Sequence, residues 1–132
     1  MNTGQLMAEA ERARRNAHAP YSKFKVGAAL LDREGRIFRG CNVENASFGL
    51  TVCAERVALW NALSTGARDF EALAVAVPRG QSGSPCGACR QVLAEFAPDL
   101  VVHFRDARGG TQRRTLQQLL PAAFGLRPAR RR

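Results

Sequence analysis

Four residues of this 132-residue chain have types and spacings suited to metal chemistry. Cys86 and Cys89 are three positions apart in the stretch SPCGACRQV, and Cys53 and Glu55 form a second motif, CAE. Residues at i and i+3 of a helix lie on one face, so both sulfurs of the pair can bind one ion. The same C-x-x-C spacing is also compatible with disulfide exchange. A third sulfur, from Cys53, gives three protein ligands and leaves one tetrahedral position open, as in catalytic zinc sites.

Glu55 separates a catalytic zinc site from the other interpretations. It follows Cys53 by two positions, in the first turn of an expected helix, and can therefore lie beside the metal without ligating it. A carboxylate there can take a proton from water polarised by zinc and return it to a substrate. Disulfide exchange leaves both Cys53 and Glu55 without a function. The sequence thus predicts Glu55 as the catalytic residue and Cys53, Cys86 and Cys89 as ligands of Zn²⁺.

The charge of such a centre requires compensation, because three thiolates around Zn²⁺ leave a net charge of −1. Arg56 and Arg90 directly follow Glu55 and Cys89. Both are predicted to donate hydrogen bonds to sulfur and so restore the electrophilicity of the metal. Cys41 is an alternative fourth ligand, which would make the site structural, but it falls in a strand-like run where a small buried residue is common.

The surrounding pattern predicts the elements that position these residues. We expect a helix over 3–17 with Thr3 as its cap, strands over 25–32 and 36–44, a helix from Cys53 to Gly66, a strand over 72–77, a helix from Cys86 to about Phe96, a strand over 100–104 and a short helix near 115–120. In the second helix, Val57, Leu59, Trp60 and Leu63 are expected to pack inward. The order predicts an α/β fold, a three-layer α/β/α sandwich with a mixed central sheet.

Composition fits one globular domain, with 45% hydrophobic and 23% charged residues. We expect the domain to span 1–126 and the stretch RPARRR, at 127–132, to be a disordered basic tail. Four of the arginines behind the +9 charge lie in that tail, and the remaining +5 is scattered without interleaved aromatic residues. A nucleic-acid partner is therefore not favoured. No apolar segment suits a membrane span or a secretory signal, so we expect a cytoplasmic protein with reduced thiols. His18 and His103 are isolated, and His103 is expected in the core.

Beyond these patterns, the chain resembles the cytidine deaminases of the short, homotetrameric type. The stretches PYSKFKVGAALL, GCNVENASFGLTVCAERVAL, SPCGACRQVLAEF and LLPAAF carry the resemblance, in the order and spacing of that family. CAE with PCxxC also matches the signature of zinc deaminases, with cysteine in place of histidine as the first ligand. The resemblance implies one zinc per subunit, Glu55 as proton shuttle, and hydrolysis of cytidine and 2′-deoxycytidine to uridine and 2′-deoxyuridine plus ammonia in pyrimidine salvage.

The resemblance also implies a set of substrate contacts and a homotetramer with shared active sites. Phe24 would stack on the pyrimidine, Asn42 and Glu44 would bind the ribose hydroxyls, the Ala54 N–H would bind the base O2, the Ser84 carbonyl would accept from the leaving amino group, and Phe124 would come from a neighbouring subunit. The chain departs from the common pattern at Phe48, where many relatives have tyrosine, and at Lys25, where many have proline. Both departures bear on substrate affinity.

Three alternatives stay open at this point. A blasticidin-type deaminase of the same fold would keep the chemistry and change the substrate, although both ribose-binding residues of NVEN favour a nucleoside. A polynucleotide or tRNA deaminase fits the charge, but such enzymes usually have histidine as the first ligand. A non-catalytic, zinc-stabilised interaction module would leave Glu55 unexplained.

Overall fold

The computed structural model describes residues 1–126, so the predicted basic tail at 127–132 lies outside the described residues. Its elements are α1 (Thr3–Arg14), β1 (Gly27–Asp32), β2 (Ile37–Cys41), a 3₁₀ turn (Phe48–Leu50), α2 (Ala54–Ser64), β3 (Phe70–Ala76), α3 (Gly87–Phe96), β4 (Val101–Arg105), β5 (Thr111–Thr115) and α4 (Leu116–Leu119). None of the helices in this range is both long and apolar enough to cross a membrane.

The five strands form one mixed sheet in the order β2-β1-β3-β4-β5. The β1–β2 hairpin is antiparallel, β1 also pairs antiparallel with β3, and β3 pairs parallel with β4. The connection between the two parallel strands contains α3, as a parallel pair requires a crossover. Since parallel neighbours end at the same sheet edge, the segment after β3 and the start of α3 lie at that edge.

Alternating side chains of the central strands point into two separate cores, one on each face of the sheet. Leu30 and Leu73 belong to the larger core, together with buried residues of α2 and α3. Leu31 and Ala74 belong to the smaller core, together with Leu6, Met7 and Ala10 of α1. Helices therefore cover both faces, and the predicted three-layer α/β/α sandwich with a mixed sheet is confirmed.

Several local predictions differ from the structure. The strand β5 was absent from the predicted order because its sequence, TQRRT, is polar, as suits the outer strand of a sheet. The first helix ends at Arg14, and Asn2 rather than Thr3 caps it, in a capping box with Gln5. Trp60 was predicted to pack inward, but 48% of it is exposed.

The second strand is also shorter than predicted, and the difference matters for the site. It ends at Cys41, and Val43 beyond it pairs with both His18 and Val52. This bridging brings the NVEN segment beside the residues that lead into α2. The backbones are close here: a Cβ on Gly40 would lie 2.5 Å from the carbonyl oxygen of Ala54, so only glycine fits.

Candidate metal centre and active site

The three predicted metal ligands lie at the beginnings of two neighbouring helices. Cys53 is the N-cap of α2, Cys86 is the N-cap of α3, and Cys89 is in the first turn of α3. Neither cysteine cap accepts a hydrogen bond from its own helix through its side chain. The partial positive charge of a helix N-terminus favours the thiolate form, which is the form that binds metal.

The sulfur positions fit a zinc ion. The Sγ atoms of Cys53, Cys86 and Cys89 all lie within 4.8 Å of one another. The Sγ atoms of Cys53 and Cys86 are 3.8 Å apart. Two sulfurs that bind one zinc at about 2.3 Å with a tetrahedral angle between them are separated by about 3.8 Å. Among the residues that the structure describes, no other histidine, cysteine or acidic side chain joins this cluster.

Three cysteine sulfurs this close cannot all be thiolates without a cation. The hydrogen bond from Cys89, with a further one from Arg56, lowers the pKa of Cys53 although burial opposes it. The same Cys53–Cys89 bond, together with burial, raises the pKa of Cys89. The Cys53 thiolate thus accepts from the Cys89 thiol, and a divalent cation that binds both sulfurs would displace that proton.

Glu55 follows the first ligand and lies in the interior. Only 5% of the residue is exposed, and it is on the first turn of α2. Burial raises the pKa of Glu55 to about 7, and the negative charge of Cys53 contributes to the rise. A carboxyl group whose pKa lies near neutrality can both accept and donate a proton, as the predicted shuttle requires.

The two arginines predicted to bind sulfur have different positions. Nη2 of Arg56 lies 3.5 Å from Sγ of Cys53, in agreement with the prediction. The prediction is wrong for Arg90, whose three nitrogens donate to the Ser84 hydroxyl and to the carbonyls of Pro85 and Leu119. The sequence places Arg90 next to Cys89, but successive helical residues point in directions about 100° apart.

We therefore expect the replacement of Arg56 by alanine to reduce turnover more than zinc content. Loss of the hydrogen bond leaves the charge of the sulfur cluster less compensated, and such changes cost about 10- to 100-fold. The measurement is kcat beside zinc per chain, with Arg56→Lys as the variant that retains a charge. Unchanged turnover in Arg56→Ala would contradict this role.

Asn42 and Glu44 lie on the segment that follows β2, and both side chains are already held in place. The Asn42 amide accepts a hydrogen bond from Val26 N at 2.9 Å and donates one to the Phe24 carbonyl at 2.7 Å. An amide has two donors and two acceptor lone pairs, so one of each is left for a ligand. The Asn42 contacts also fix the backbone on both sides of Lys25, directly after the half-buried Phe24.

The residues that hold Glu44 were not predicted from the sequence. Its carboxylate accepts from the backbone N–H groups of Tyr21 and Ser22 at 3.0 and 3.1 Å, and also from the Ser22 hydroxyl. Hydrogen bonds from Ser22, the largest effect, and from Tyr21 lower the pKa of Glu44, so its carboxylate stays charged. The only available signal was the PYS tripeptide, whose turn-forming residues indicate a loop without showing which side chain it binds.

The remaining predicted substrate contacts fall into two groups. Ala54 and Ser84 lie next to Cys53 and Pro85, at the starts of the two site helices. As the first residue of α2, Ala54 has one of the N–H groups that helix geometry leaves without an intrahelical acceptor. Phe124 is 72% exposed, and its carbonyl accepts from Gln91 of α3. Cys41, His18 and His103 lie outside the metal cluster, and His103 is buried in β4.

The chain matches the family model described as "Cytidine and deoxycytidylate deaminase zinc-binding region" over residues 1–104. The chain therefore belongs to the cytidine and deoxycytidylate deaminase family, and zinc is the metal that the three cysteines would hold. The predicted family and the predicted cofactor are both confirmed.

Individual relatives have more specific names. A protein named cytidine deaminase, from Halalkalibacterium halodurans, is 50% identical over 125 residues, which cover 94% of this chain and 95% of the relative. The crystal structure of cytidine deaminase from Burkholderia pseudomallei superimposes with a TM-score of 0.89 at 48% identity, covering 94% of this chain and all of that one. A blasticidin-S deaminase from Bacillus cereus is 33% identical over 112 residues, 78% of this chain and 79% of the relative.

Proposed function

We propose that the protein catalyses the zinc-dependent hydrolytic deamination of cytidine and 2′-deoxycytidine. The observation that carries the proposal is the position of Glu55, buried beside three cysteine sulfurs that fit one zinc ion. In the reaction, water supplies the oxygen of a new C4–O bond, the C4–N bond of cytosine breaks, and ammonia leaves. The products are uridine or 2′-deoxyuridine, which places the reaction in pyrimidine salvage.

Glu55 moves the protons in the proposed mechanism. Cys53, Cys86 and Cys89 would hold zinc, and the bound ion would supply the polarisation that makes a water molecule nucleophilic near neutral pH. Glu55 takes a proton from the attacking water and delivers it to N3 of the ring. It then takes the proton of the new C4 hydroxyl and delivers it to the departing amino group, which leaves as ammonia while the C4 carbonyl forms. The raised pKa of Glu55 supports both directions of transfer, because neither protonation state is strongly disfavoured. Its burial keeps bulk water from competing for these protons.

Five residues make the proposed contacts to the nucleoside. Phe24 stacks on the pyrimidine, the Ala54 N–H binds O2, and the Ser84 carbonyl accepts from the leaving amino group. Asn42 and Glu44 bind the ribose hydroxyls. Support for the sugar contact comes from the fixed, charged carboxylate of Glu44, since a charged acceptor makes a stronger hydrogen bond to a hydroxyl than a neutral one.

We also propose a homotetramer in which Phe124 of one subunit enters the site of a neighbour. Several large apolar side chains support an assembly, because they are exposed in the single chain. These side chains include Tyr21 (52% exposed), Phe48 (73%), Leu50 (67%), Trp60 (48%) and Phe124 (72%). A single subunit with this much exposed aromatic surface would be expected to associate. A cytoplasmic location is part of the proposal, since zinc binding requires reduced thiols at the three ligands.

An ultraviolet assay of substrate loss tests the proposed function. Cytidine, deoxycytidine, blasticidin S and single-stranded DNA are compared with and without a chelator. We expect turnover of both nucleosides, its loss on chelation and its return with added zinc. Zinc-loaded protein that leaves both nucleosides unchanged would contradict the proposal. Turnover of blasticidin S alone would instead favour the substrate of the Bacillus cereus relative.

A further inference from the structure

Arg90 connects the segment before α3 with the end of α4. Its Nε donates to the Pro85 carbonyl at 2.8 Å, and its Nη2 donates to the Ser84 hydroxyl at 2.8 Å. Its Nη1 donates to the Leu119 carbonyl at 2.7 Å. Two acceptors thus belong to the segment that carries Ser84 and leads to Cys86, and the third, the Leu119 carbonyl, lies 29 positions after Arg90.

The geometry of an arginine makes this connection rigid. The guanidinium is planar and presents its donors in fixed directions, so three short bonds define both distance and angle between the two segments. The next residue of α3 adds a related contact, because Gln91 Nε2 donates to the Phe124 carbonyl at 2.8 Å. Neighbouring side chains of one helix therefore bind the segment before it and the chain from Leu119 to Phe124.

We propose that Arg90 is a positioning residue for the reaction. By holding Ser84, Pro85 and the end of α4 together, it fixes the Ser84 carbonyl relative to the metal ligand Cys86. Gln91 binds the Phe124 carbonyl and so fixes the backbone at Phe124 relative to α3. The inference rests on the proposed function for the roles of Ser84 and Phe124, whereas the connection itself depends only on the hydrogen bonds.

A second arginine provides a matched control. Arg68 also binds two backbone carbonyls through its guanidinium, those of Leu63 and Ala67, at 3.0 and 2.8 Å. These acceptors lie at and after the carboxyl-terminal end of α2, and none is a proposed site residue. Arg68→Lys and Arg90→Lys both keep the positive charge and lose the planar fork. A general structural effect would appear in both variants, and a positioning effect only in Arg90→Lys.

The experiment compares wild type, Arg90→Lys and Arg68→Lys for kcat, KM, zinc per chain and melting temperature. Hydrogen exchange of residues 82–86 and 117–124 is measured in each protein. For Arg90→Lys we expect kcat to fall about 10- to 100-fold, because a small misplacement of a substrate contact has an effect of this size. Zinc per chain should be unchanged, and exchange should accelerate in both segments. Arg68→Lys should leave kcat, KM and exchange of these segments at wild-type values.

A variant of the second contact keeps the test decisive if Arg90→Lys does not fold. Gln91→Ala should accelerate exchange near residue 124 and raise KM more than it lowers kcat. Unchanged kcat in Arg90→Lys, loss of zinc, or equal effects of Arg68→Lys would overturn the proposal. An inactive wild type would overturn the proposed function instead, and the exchange measurements would still decide whether Arg90 connects the two segments.

Discussion

Glu55→Gln is expected to lower kcat by about 10²- to 10⁴-fold, the range attributed to a single proton-transfer group. Glutamine keeps the shape of the side chain but cannot accept the proton of the attacking water. Zinc content should stay at the wild-type level, because Glu55 is outside the sulfur cluster. The measurements are kcat for cytidine, zinc per chain by elemental analysis, and thermal unfolding.

The variant should also remain folded. Burial raises the pKa of Glu55 to about 7 in the folded chain, so its charged form is less favourable there than in the unfolded chain. In the zinc-free protein the charge therefore opposes folding increasingly as pH rises from about the unfolded pKa through 7. A neutral amide removes this effect, so zinc-free Glu55→Gln should melt at or above the temperature of the zinc-free wild type at pH 8.

The exposed residue Glu71 provides the control, since Glu71→Gln should retain full activity. Activity within tenfold of wild type in Glu55→Gln would contradict the shuttle role.

Cys89→Ser is expected to abolish both zinc binding and turnover. Cys89 is fully buried, and its sulfur is one of the three that fit the metal. With two sulfurs left, the chain would bind zinc too weakly to retain it through purification, and the proposed nucleophile would not form. A ligand that binds only the folded state stabilises it by about 2.7 kcal/mol at 100 times its Kd. A chelator should accordingly lower the melting temperature of the wild type and leave that of Cys89→Ser unchanged.

Cys41→Ser is the matched control, because Cys41 is a free cysteine outside the cluster. It should retain one zinc per chain and wild-type kcat. Equal loss of zinc in Cys41→Ser and Cys89→Ser would place Cys41 in the coordination sphere. The site would then have four protein ligands and no position for water, and the proposed reaction would fail with it.

Local patterns along the chain were sufficient to predict the class of chemistry and the fold class. The metal-binding residues form local patterns: two cysteines at i and i+3, a third cysteine in CAE, and the glutamate that follows it. Each pattern lies at the start of a predicted helix, and the geometry of one helical turn determines which of its side chains share a face. The order of apolar segments likewise predicted the three layers of the fold, because buried strands and amphipathic helices differ in the periodicity of their apolar residues. Residues whose roles depend on their position within one helix or strand could therefore be predicted from the sequence.

Contacts between residues that are distant along the chain depend on how the helices and strands pack. Adjacency to Cys89 predicted that Arg90 would bind sulfur, yet its acceptors are Ser84, Pro85 and the distant Leu119. The Glu44 carboxylate is held by a turn more than 20 positions earlier. The polar strand β5 is recognisable only by its pairing with β4. In each case the contact depends on the direction of a side chain or the partner of a strand, and these are fixed by packing between elements, not by the pattern within one.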